Sequence, residues 1–243
     1  MKDLFSEGST LYQQARPDYS AEVVDVVLQH VLTREQAWDC GVGSGQFTQR
    51  LAPYFQQVLA TDLSAEQLAQ APVLDNVHYE KASAEHCSLA AHSVDLITVA
   101  QAIHWFDFDD FYAEVRRVLK PEGILAIVGY GLIQAKDPEL NRLIDELYFG
   151  TLKGYWDAER HYVDEEYRSL PFPFQEYDVP KLTLDYAWSS AQILNYLSTW
   201  SGLKHYQKQH PDLDPLVDLT AFFQQHAQNR FELYFPVLLR IGH

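Results

Sequence analysis

A glycine-rich segment at residues 38–45 constrains the fold of this chain more than any other feature. It places Gly41, Gly43 and Gly45 directly after a short apolar run, in a G-x-G-x-G spacing. A glycine-rich turn between a strand and a helix lets backbone N–H groups approach a ligand closely, because glycine has no side chain and tolerates positive φ. The segment therefore predicts a strand–turn–helix unit with a ligand site at the turn.

A carboxylate ends the next predicted strand. Asp62 closes the apolar run 58–62, and its distance from Gly45 suits a helix followed by a strand. An acid at this position can accept hydrogen bonds from both hydroxyls of a ribose. The dinucleotide fingerprint is G-x-G-x-x-G, whereas here the third glycine comes one position early and Gln46 follows it. The combination favours a nucleoside ligand over a dinucleotide; the alternative is a turn that needs glycine only for its backbone.

The composition limits the class of protein and its partners. Of the 243 residues, 47% are hydrophobic and 14% aromatic, as in a globular chain that can form one large α/β domain. The formal charge is −16, and an acidic surface repels the phosphates of nucleic acids and of anionic membranes. We therefore expect a small-molecule partner rather than a nucleic acid or a membrane. The sequence does not indicate an oligomeric state.

Cysteine spacing and hydropathy point to neither a metal nor a membrane. Cys40 lies inside the glycine-rich segment, and neither it nor Cys87 has the spacing of a metal ligand. The N-terminus has no apolar core of signal-peptide length, and no apolar stretch approaches the length of a membrane span. The sequence thus predicts a cytoplasmic protein without a metal.

Strands and helices alternate through the first half of the chain. Strands are predicted at about 36–40, 58–62, 76–80, 94–101 and 124–130, with helices at about 20–33, 44–55, 64–71 and 107–119. This alternation is typical of parallel βαβ units with right-handed crossovers. In the second half we predict an aromatic-rich helical segment at 134–170, a strand at 174–187, helices at 189–200 and 213–228, and a final strand at 231–240 whose Pro236 suggests an edge or a bulge.

These motifs resemble those of the class I S-adenosylmethionine-dependent methyltransferases. Residues 39–45 match the first motif of that family, D-x-G-x-G-x-G, and Asp62 matches its acid after the second strand. Residues 83–85 resemble the loop that contacts adenine, and 119–123 resemble its L-K-P-G-G turn with Glu122 in place of the first glycine. The resemblance implies S-adenosylmethionine as cofactor and a Rossmann-like seven-stranded, mostly parallel sheet. In that α/β fold the last strand is antiparallel, helices cover both faces and a helical insertion follows strand five.

A narrower resemblance concerns the acceptor. Tyr12 with residues 16–19, residues 100–107 and residues 197–201 resemble the subgroup that contains the trans-aconitate methyltransferases. That resemblance implies a small-molecule acceptor, including carboxylates. We expect a single domain over 1–243, with an N-terminal cap and first helix (1–34), a donor-binding core (35–132), a helical lid insertion (133–172) and C-terminal strands and helices (173–243).

Residues that follow the carboxyl ends of the strands are the candidates for holding the donor. Asp62 is expected at the ribose, the backbone of Gly41 and Gly43 beside the methionine part, and Ala84 with Glu85 near the adenine. Asp39 either organises the turn, contacts the amino group through water, or is a carboxylate satisfied by loop N–H groups. The full cofactor-binding prediction is Asp39, Gly41, Gly43, Gly45, Asp62, Leu63, Ala84, Glu85, Gln101 and Arg16.

His104 is the candidate catalytic residue, as a base or as a donor to an anionic acceptor. The alternative is a histidine hydrogen-bonded to the N-terminal cap. Trp105 is expected to pack on the acceptor, on the sulfonium or in the core below the insertion, and Arg16 to pair with a carboxylate or lie on the surface. The predicted substrate contacts are Tyr12, Tyr19, Trp105, Tyr130 and Trp200.

The resemblance therefore implies S-adenosylmethionine-dependent methyl transfer to a small molecule, with a carboxylate as one candidate acceptor. Because the donor is already activated, the protein mainly aligns the reactants and removes water, and a carboxylate acceptor needs no general base. Two alternatives remain. One is a non-catalytic or regulatory protein that binds S-adenosylmethionine, and the other is an NAD-dependent oxidoreductase, which the glycine spacing opposes.

Overall fold

The computed structural model describes residues 15–226 and 230–243, and one mixed β-sheet runs through them. Its strands are β1 (Gln36–Cys40), β2 (Gln57–Asp62), β3 (Val77–Lys81), β4 (Val94–Ala100), β5 (Leu119–Tyr130), β6 (Gln134–Ala135), β7 (Thr183–Trp188) and β8 (Phe231–Gly242). The order is β3-β2-β1-β4-β5-β8-β6, with β7 also paired to β8. Strands β1 to β5 are parallel, and β8 is antiparallel to β5. The predicted fold class is confirmed, with the two-residue β6 as an addition.

Nine α-helices lie within the described residues. They are α1 (Ala21–Leu28), α2 (Gln46–Leu51), α3 (Ala65–Leu68), α4 (Phe108–Val118), α5 (Pro138–Asp145), α6 (His161–Asp164), α7 (Ser190–Ser198), α8 (Ser201–Gln209) and α9 (Val217–Gln225). Ser20, Ser64 and Asp107 cap α1, α3 and α4, since each side chain accepts a hydrogen bond from a first-turn N–H. None of these helices is long and apolar enough to cross a membrane.

Both faces of the sheet carry a hydrophobic core because successive strand side chains point to opposite sides. In β1, Ala37 packs into one core and Trp38 into the other. Helices α1 and α2 cover the first face, where Phe47 is buried, and α4 covers the second through Phe111. The parallel strands are therefore covered on both sides, and ligands have access at the strand ends.

The insertion after β5 is less regular than the sequence predicted. The predicted helix at 134–170 is divided into β6, α5, a π-helix over Glu146–Thr151, a 3₁₀ turn over Ala158–Arg160 and α6. Gly154 has a φ of +87°, which a continuous helix does not allow. The predicted strand at 174–187 reduces to β7 and an isolated bridge at Glu176, and Pro180, which cannot donate to a β-ladder, lies between them.

Two other elements also differ from the sequence prediction. Helix α8 was not predicted, and its buried side is narrow, consisting of Gly202 and Leu203. Strand β5 begins at Leu119 and includes the predicted L-K-P-E-G turn, with an irregular register opposite β4. Pro236 lies where β8 changes partner, between its pairing with β7 and its pairing with β5. It therefore sits inside the sheet rather than on a free edge.

Candidate functional site

The glycine turn joins β1 to α2 in a conformation that only glycine adopts easily. Gly41, Gly43 and Gly45 have φ values of +70°, +55° and +76°. The Gly41 N–H donates to the carbonyl oxygen of Thr61 at 2.8 Å, which fastens the turn to the end of β2. A Cβ on Gly41 would lie 2.6 Å from the Cβ of Ala102. The turn is thus a close-packed cradle whose backbone faces the crevice.

Asp62 ties this turn to the second strand. One carboxylate oxygen accepts from the N–H of Gly43 at 2.8 Å, and the other accepts from the N–H of Ser64 at 2.8 Å. The carboxylate borders the crevice at the end of β2. Its position matches the sequence prediction.

A crevice of about 990 Å³, counted to its open mouth, lies beyond the carboxyl ends of β1, β2 and β4. It brings together nine of the predicted residues: Arg16, Tyr19, Gly41, Gly43, Asp62, Leu63, Gln101, Trp105 and Tyr130. Sequence reasoning missed several neighbours that complete the wall, including Pro17, Ser44, Phe47, Ser64 and Gln67. They adjoin the motif, so proximity in sequence was the available signal.

Four predicted donor residues are not part of the crevice lining. Gly45 lies at the N-cap of α2, and Ala84 is buried in the second core. Glu85 accepts a hydrogen bond from the N–H of Asp107 at 3.3 Å, next to the start of α4. Asp39 is buried, and Tyr12 lies outside the described residues.

The Asp39 carboxylate is satisfied inside the core. It accepts from the hydroxyls of Thr48 at 2.6 Å and Thr98 at 2.7 Å, rather than from the loop N–H groups that the sequence suggested as one alternative. Burial raises its pKa to about 6, although both hydroxyls act in the opposite direction. Asp39 therefore links β1 to α2 and β4 beneath the turn.

A second cavity opens beside the crevice and shares Arg16, Gln101 and Trp105 with it. Its lining also includes His104, Trp156, Asp157, Arg160, Thr199, Trp200 and Ser201. The predicted residues His104 and Trp200 are thus separated from the crevice proper. The sequence analysis missed Asp157 and Arg160, and their place in an aromatic-rich segment was the only available signal.

His104 follows β4 in a short 3₁₀ turn and is buried. Its Nδ1 has no hydrogen-bond partner among the described residues. Burial, assisted by the positive charge of Arg160, lowers its pKa to about 3. The imidazole is therefore neutral near pH 7, with one ring nitrogen that donates a hydrogen bond and one that accepts.

Arg160 projects into the second cavity from the insertion. Its Nε donates to the hydroxyl of Tyr148 at 2.8 Å and to Asp164 at 3.4 Å. The guanidinium carbon lies 5.5 Å from the ring centroids of both Tyr148 and Trp156. Its two terminal nitrogens make no hydrogen bond with the described part of the chain. The cation is held in place while its outer edge stays available.

Gln101 and Arg16 line both cavities. Gln101 has a φ of +55°, an uncommon backbone conformation that is often found at functional sites. Its amide donates to the carbonyl oxygen of Tyr130 at 2.9 Å. Arg16 donates to the hydroxyl of Tyr130 and to the carbonyl oxygen of Thr199, both at 3.4 Å. These contacts join the end of β4 to the segments that cover it.

Residues 15–20, which we call the strap, cross the crevice and are anchored at Asp18. The hydroxyl of Tyr186 accepts from the N–H of Asp18 at 2.8 Å and donates to its carbonyl oxygen at 2.7 Å. Arg50 forms an ion pair with the Asp18 carboxylate. The strap is therefore held by β7 and α2, and its Arg16 lines both cavities. Among the described residues, no cluster of side chains suits a metal ion.

Comparisons with known proteins identify the family. A methyltransferase domain model matches residues 38–127, which span the glycine turn and reach into β5. A solved structure from Anaeromyxobacter dehalogenans, described as that of a type II methyltransferase, is 37% identical, with 94% of this chain and 97% of that chain covered and a TM-score of 0.87. A methyltransferase of Dictyostelium discoideum is 37% identical over 203 residues, which cover 82% of this chain and 77% of that protein.

A Saccharomyces cerevisiae protein named as an S-adenosylmethionine-dependent methyltransferase is 25% identical, covering 87% of this chain and 84% of its own. The chain belongs to the class I S-adenosylmethionine-dependent methyltransferases. It is an enzyme of that class, and S-adenosylmethionine is its cofactor.

Proposed function

We propose that the crevice holds S-adenosylmethionine and that the second cavity receives a small acceptor molecule. The observation that carries this proposal is that the two spaces meet at Arg16, Gln101 and Trp105. A donor in the crevice and an acceptor in the cavity would face each other across these side chains. When bound, S-adenosylmethionine supplies an activated methyl group on a sulfonium, which passes to a nucleophile by in-line displacement.

The residues around the crevice fit this donor. Asp62 borders the crevice at the end of β2, where an acid suits ribose hydroxyls, and the glycines at 41 and 43 let the backbone itself form the wall. We assign Leu63 to the same wall. The proposed adenine contacts at Ala84 and Glu85 have less support, because neither residue borders the crevice and Glu85 is engaged with Asp107.

The charges in the second cavity favour an anionic acceptor. Arg16 and Arg160 are always protonated, and a guanidinium binds a carboxylate through two parallel hydrogen bonds. A carboxylate needs no deprotonation before it accepts a methyl group, so His104 would bind or orient rather than act as an obligatory base. We place Trp105, Tyr19, Tyr130 and Trp200 around the reactants. These contacts agree with the resemblance to the carboxylate-methylating subgroup.

The net charge of the chain also bears on the kind of partner. The net charge of −16 supports a small acceptor over nucleic acid or an anionic membrane. The cytoplasmic location and the single-domain division of the chain stay predictions. We expect the acceptor to be found by incubating the enzyme and labelled S-adenosylmethionine with a pool of small metabolites, read by mass spectrometry.

Titration calorimetry with S-adenosylmethionine and its demethylated product, S-adenosylhomocysteine, tests the donor site. We expect both to bind the wild-type protein, and Asp62→Ala to weaken binding roughly 100-fold, because hydrogen bonds to a charged group are lost. Asp75→Ala, an exposed acid beyond the crevice, is the matched control and should bind as the wild type does. Unchanged affinity in Asp62→Ala would remove Asp62 from the ribose role, and no binding to the wild type would overturn the donor site.

A further inference from the structure

Two side chains of the second cavity, one a hydrogen-bond donor and the other an acceptor, carry polar atoms that bond to none of the described residues. Arg160 presents terminal nitrogens that make no hydrogen bond with the described residues, although its Nε is held by Tyr148 and Asp164. Four N–H donors of the guanidinium are therefore unused on the side that faces the cavity. A planar cation fixed at one edge and open at the other suits a bidentate anion.

Asp157 is the acceptor of this pair. Its Oδ2 is buried without a hydrogen-bond partner in the part of the chain that the structure describes. It sits at the start of a 3₁₀ turn, yet its side chain makes no capping hydrogen bond. It also forms no ion pair with Arg160, although both line the same cavity. The carboxylate thus serves no visible structural purpose there.

Keeping the buried Asp157 Oδ2 without a partner destabilises a fold, because a buried polar atom loses its hydration and gains nothing in exchange, whereas the outer nitrogens of Arg160 are not buried in this way. A ligand would satisfy both groups if it carried an anion at one end and an O–H or N–H at the other. His104 Nδ1, also without a partner, is a second acceptor for that donor. Trp156 and Trp200 supply flat apolar walls.

We propose that the second cavity selects a small acid that also carries a hydrogen-bond donor, with the anionic group on Arg160 and the O–H or N–H on Asp157. A simple acid lacking the donor would leave Asp157 unsatisfied and would also be repelled by it. The inference rests on the proposed function only in taking this cavity as the acceptor site. It narrows the acceptor class from acids in general to hydroxy- or amino-acids in the broad chemical sense.

Binding of matched probes to the full chain saturated with S-adenosylhomocysteine tests the proposal. The probes are benzoate, its three monohydroxy isomers and benzyl alcohol, each titrated by calorimetry. We expect at least one hydroxybenzoate to bind roughly 10-fold more tightly than benzoate, since its hydroxyl satisfies a charged acceptor. Benzyl alcohol, which lacks the anion, should bind most weakly.

Two variants separate the roles. Arg160→Met should weaken every acid roughly 10- to 100-fold, whereas Arg142→Met, an exposed arginine of α5, should change nothing. Asp157→Ala should abolish the preference for the hydroxylated acid while leaving benzoate binding equal or tighter. Without ligand, Asp157→Ala should also raise the melting temperature, a result opposite to that of removing a structural acid.

The outcomes distinguish the two proposals. If S-adenosylhomocysteine binds but no acid does, or if Arg160→Met binds acids as the wild type does, this inference is wrong while the donor site stands. It is also wrong if no hydroxybenzoate exceeds benzoate, or if that preference survives Asp157→Ala. If S-adenosylhomocysteine itself fails to bind, the proposed function falls and this inference falls with it.

Discussion

The donor crevice and the second cavity are adjacent but are built in different ways. The wall of the crevice assigned to the donor depends on backbone atoms and one carboxylate from a single stretch, Gly41 to Ser64, although the strap and residues 100–105 also border the crevice. The cavity depends on side chains from four distant stretches: the strap, residues 101–105, residues 156–160 and residues 199–201. Local backbone geometry thus builds the site proposed for the donor, and tertiary packing builds the site proposed for the acceptor.

The two regions also differ in whether their buried titratable groups have hydrogen-bond partners. Asp39, beneath the crevice, is fully paired, and burial raises its pKa to about 6. His104, in the cavity, lacks a partner at Nδ1, and burial lowers its pKa to about 3. Both groups are pushed toward their neutral forms, but the stability of the fold responds to pH with opposite sign.

The largest expected effect comes from Gly41→Ala, which tests whether the crevice depends on its backbone. The new Cβ would meet Ala102 at 2.6 Å, and alanine disfavours a φ of +70°. We expect a loss of about 3 kcal/mol or more in the free energy of unfolding, together with loss of S-adenosylmethionine binding. Urea denaturation and calorimetry measure the two effects.

Gly150→Ala is the matched control for that substitution. Gly150 lies in the insertion with no atom within 4 Å of a new Cβ, and alanine favours helical backbone more than glycine does. The free energy of unfolding of Gly150→Ala should equal or exceed that of the wild type. Equal behaviour of the two variants would show that the crevice does not depend on this turn.

A pH series on His104→Leu tests the cavity. Because the folded pKa of about 3 lies below the ordinary value of 6.5, the stability linked to neutral His104 is present above pH 6.5 and is lost as the pH falls toward 3. The wild type should lose up to about 1.4 kcal/mol per pH unit relative to the variant in that window. A constant difference between the two proteins from pH 6.5 to 4 would contradict the burial of His104.

The counterpart beneath the crevice is Asp39→Asn, with the opposite sign and a shorter window. The folded pKa of about 6 lies above the ordinary value of 3.8, so stability linked to the protonated carboxyl is present below pH 3.8 and is lost as the pH rises through 6. Between pH 4 and 6 the wild type should lose stability relative to the variant, again at up to about 1.4 kcal/mol per unit. Urea denaturation at each pH measures the difference in the free energy of unfolding between the two proteins. A difference that changes with pH in the opposite direction would contradict the raised pKa of Asp39.

The smallest expected effect concerns the strap, which both regions share. Tyr186→Phe removes the hydroxyl that holds the N–H and the carbonyl of Asp18, so Arg16 should be less well positioned. Affinities for S-adenosylhomocysteine and for an acid probe should fall together, each by about 1 kcal/mol. Tyr234→Phe on β8 is the control, because the Tyr234 hydroxyl makes no hydrogen bond with the described residues. A change in only one affinity would show that the strap belongs to one site.

Local signals explain why the sequence predicted the donor side well. The glycine spacing, the acid at the end of β2 and the caps Ser20, Ser64 and Asp107 each depend on residues close in the chain. Glu85 was harder to place, because its engagement with Asp107 depends on how the loop after β3 meets the start of α4.

The sequence by itself determined the succession of strands and helices in the first half, the glycine turn and, with the acid at position 62 and the family resemblance, the class of donor, because these follow from residue periodicity and from backbone freedom that only glycine has. Only the tertiary structure decided that His104, Asp157 and Arg160 share one cavity. Their sequence separations carry no period, and the insertion that holds two of them folds irregularly around glycine and aromatic packing. Long-range packing, not local preference, therefore creates the part of the site that distinguishes one acceptor from another.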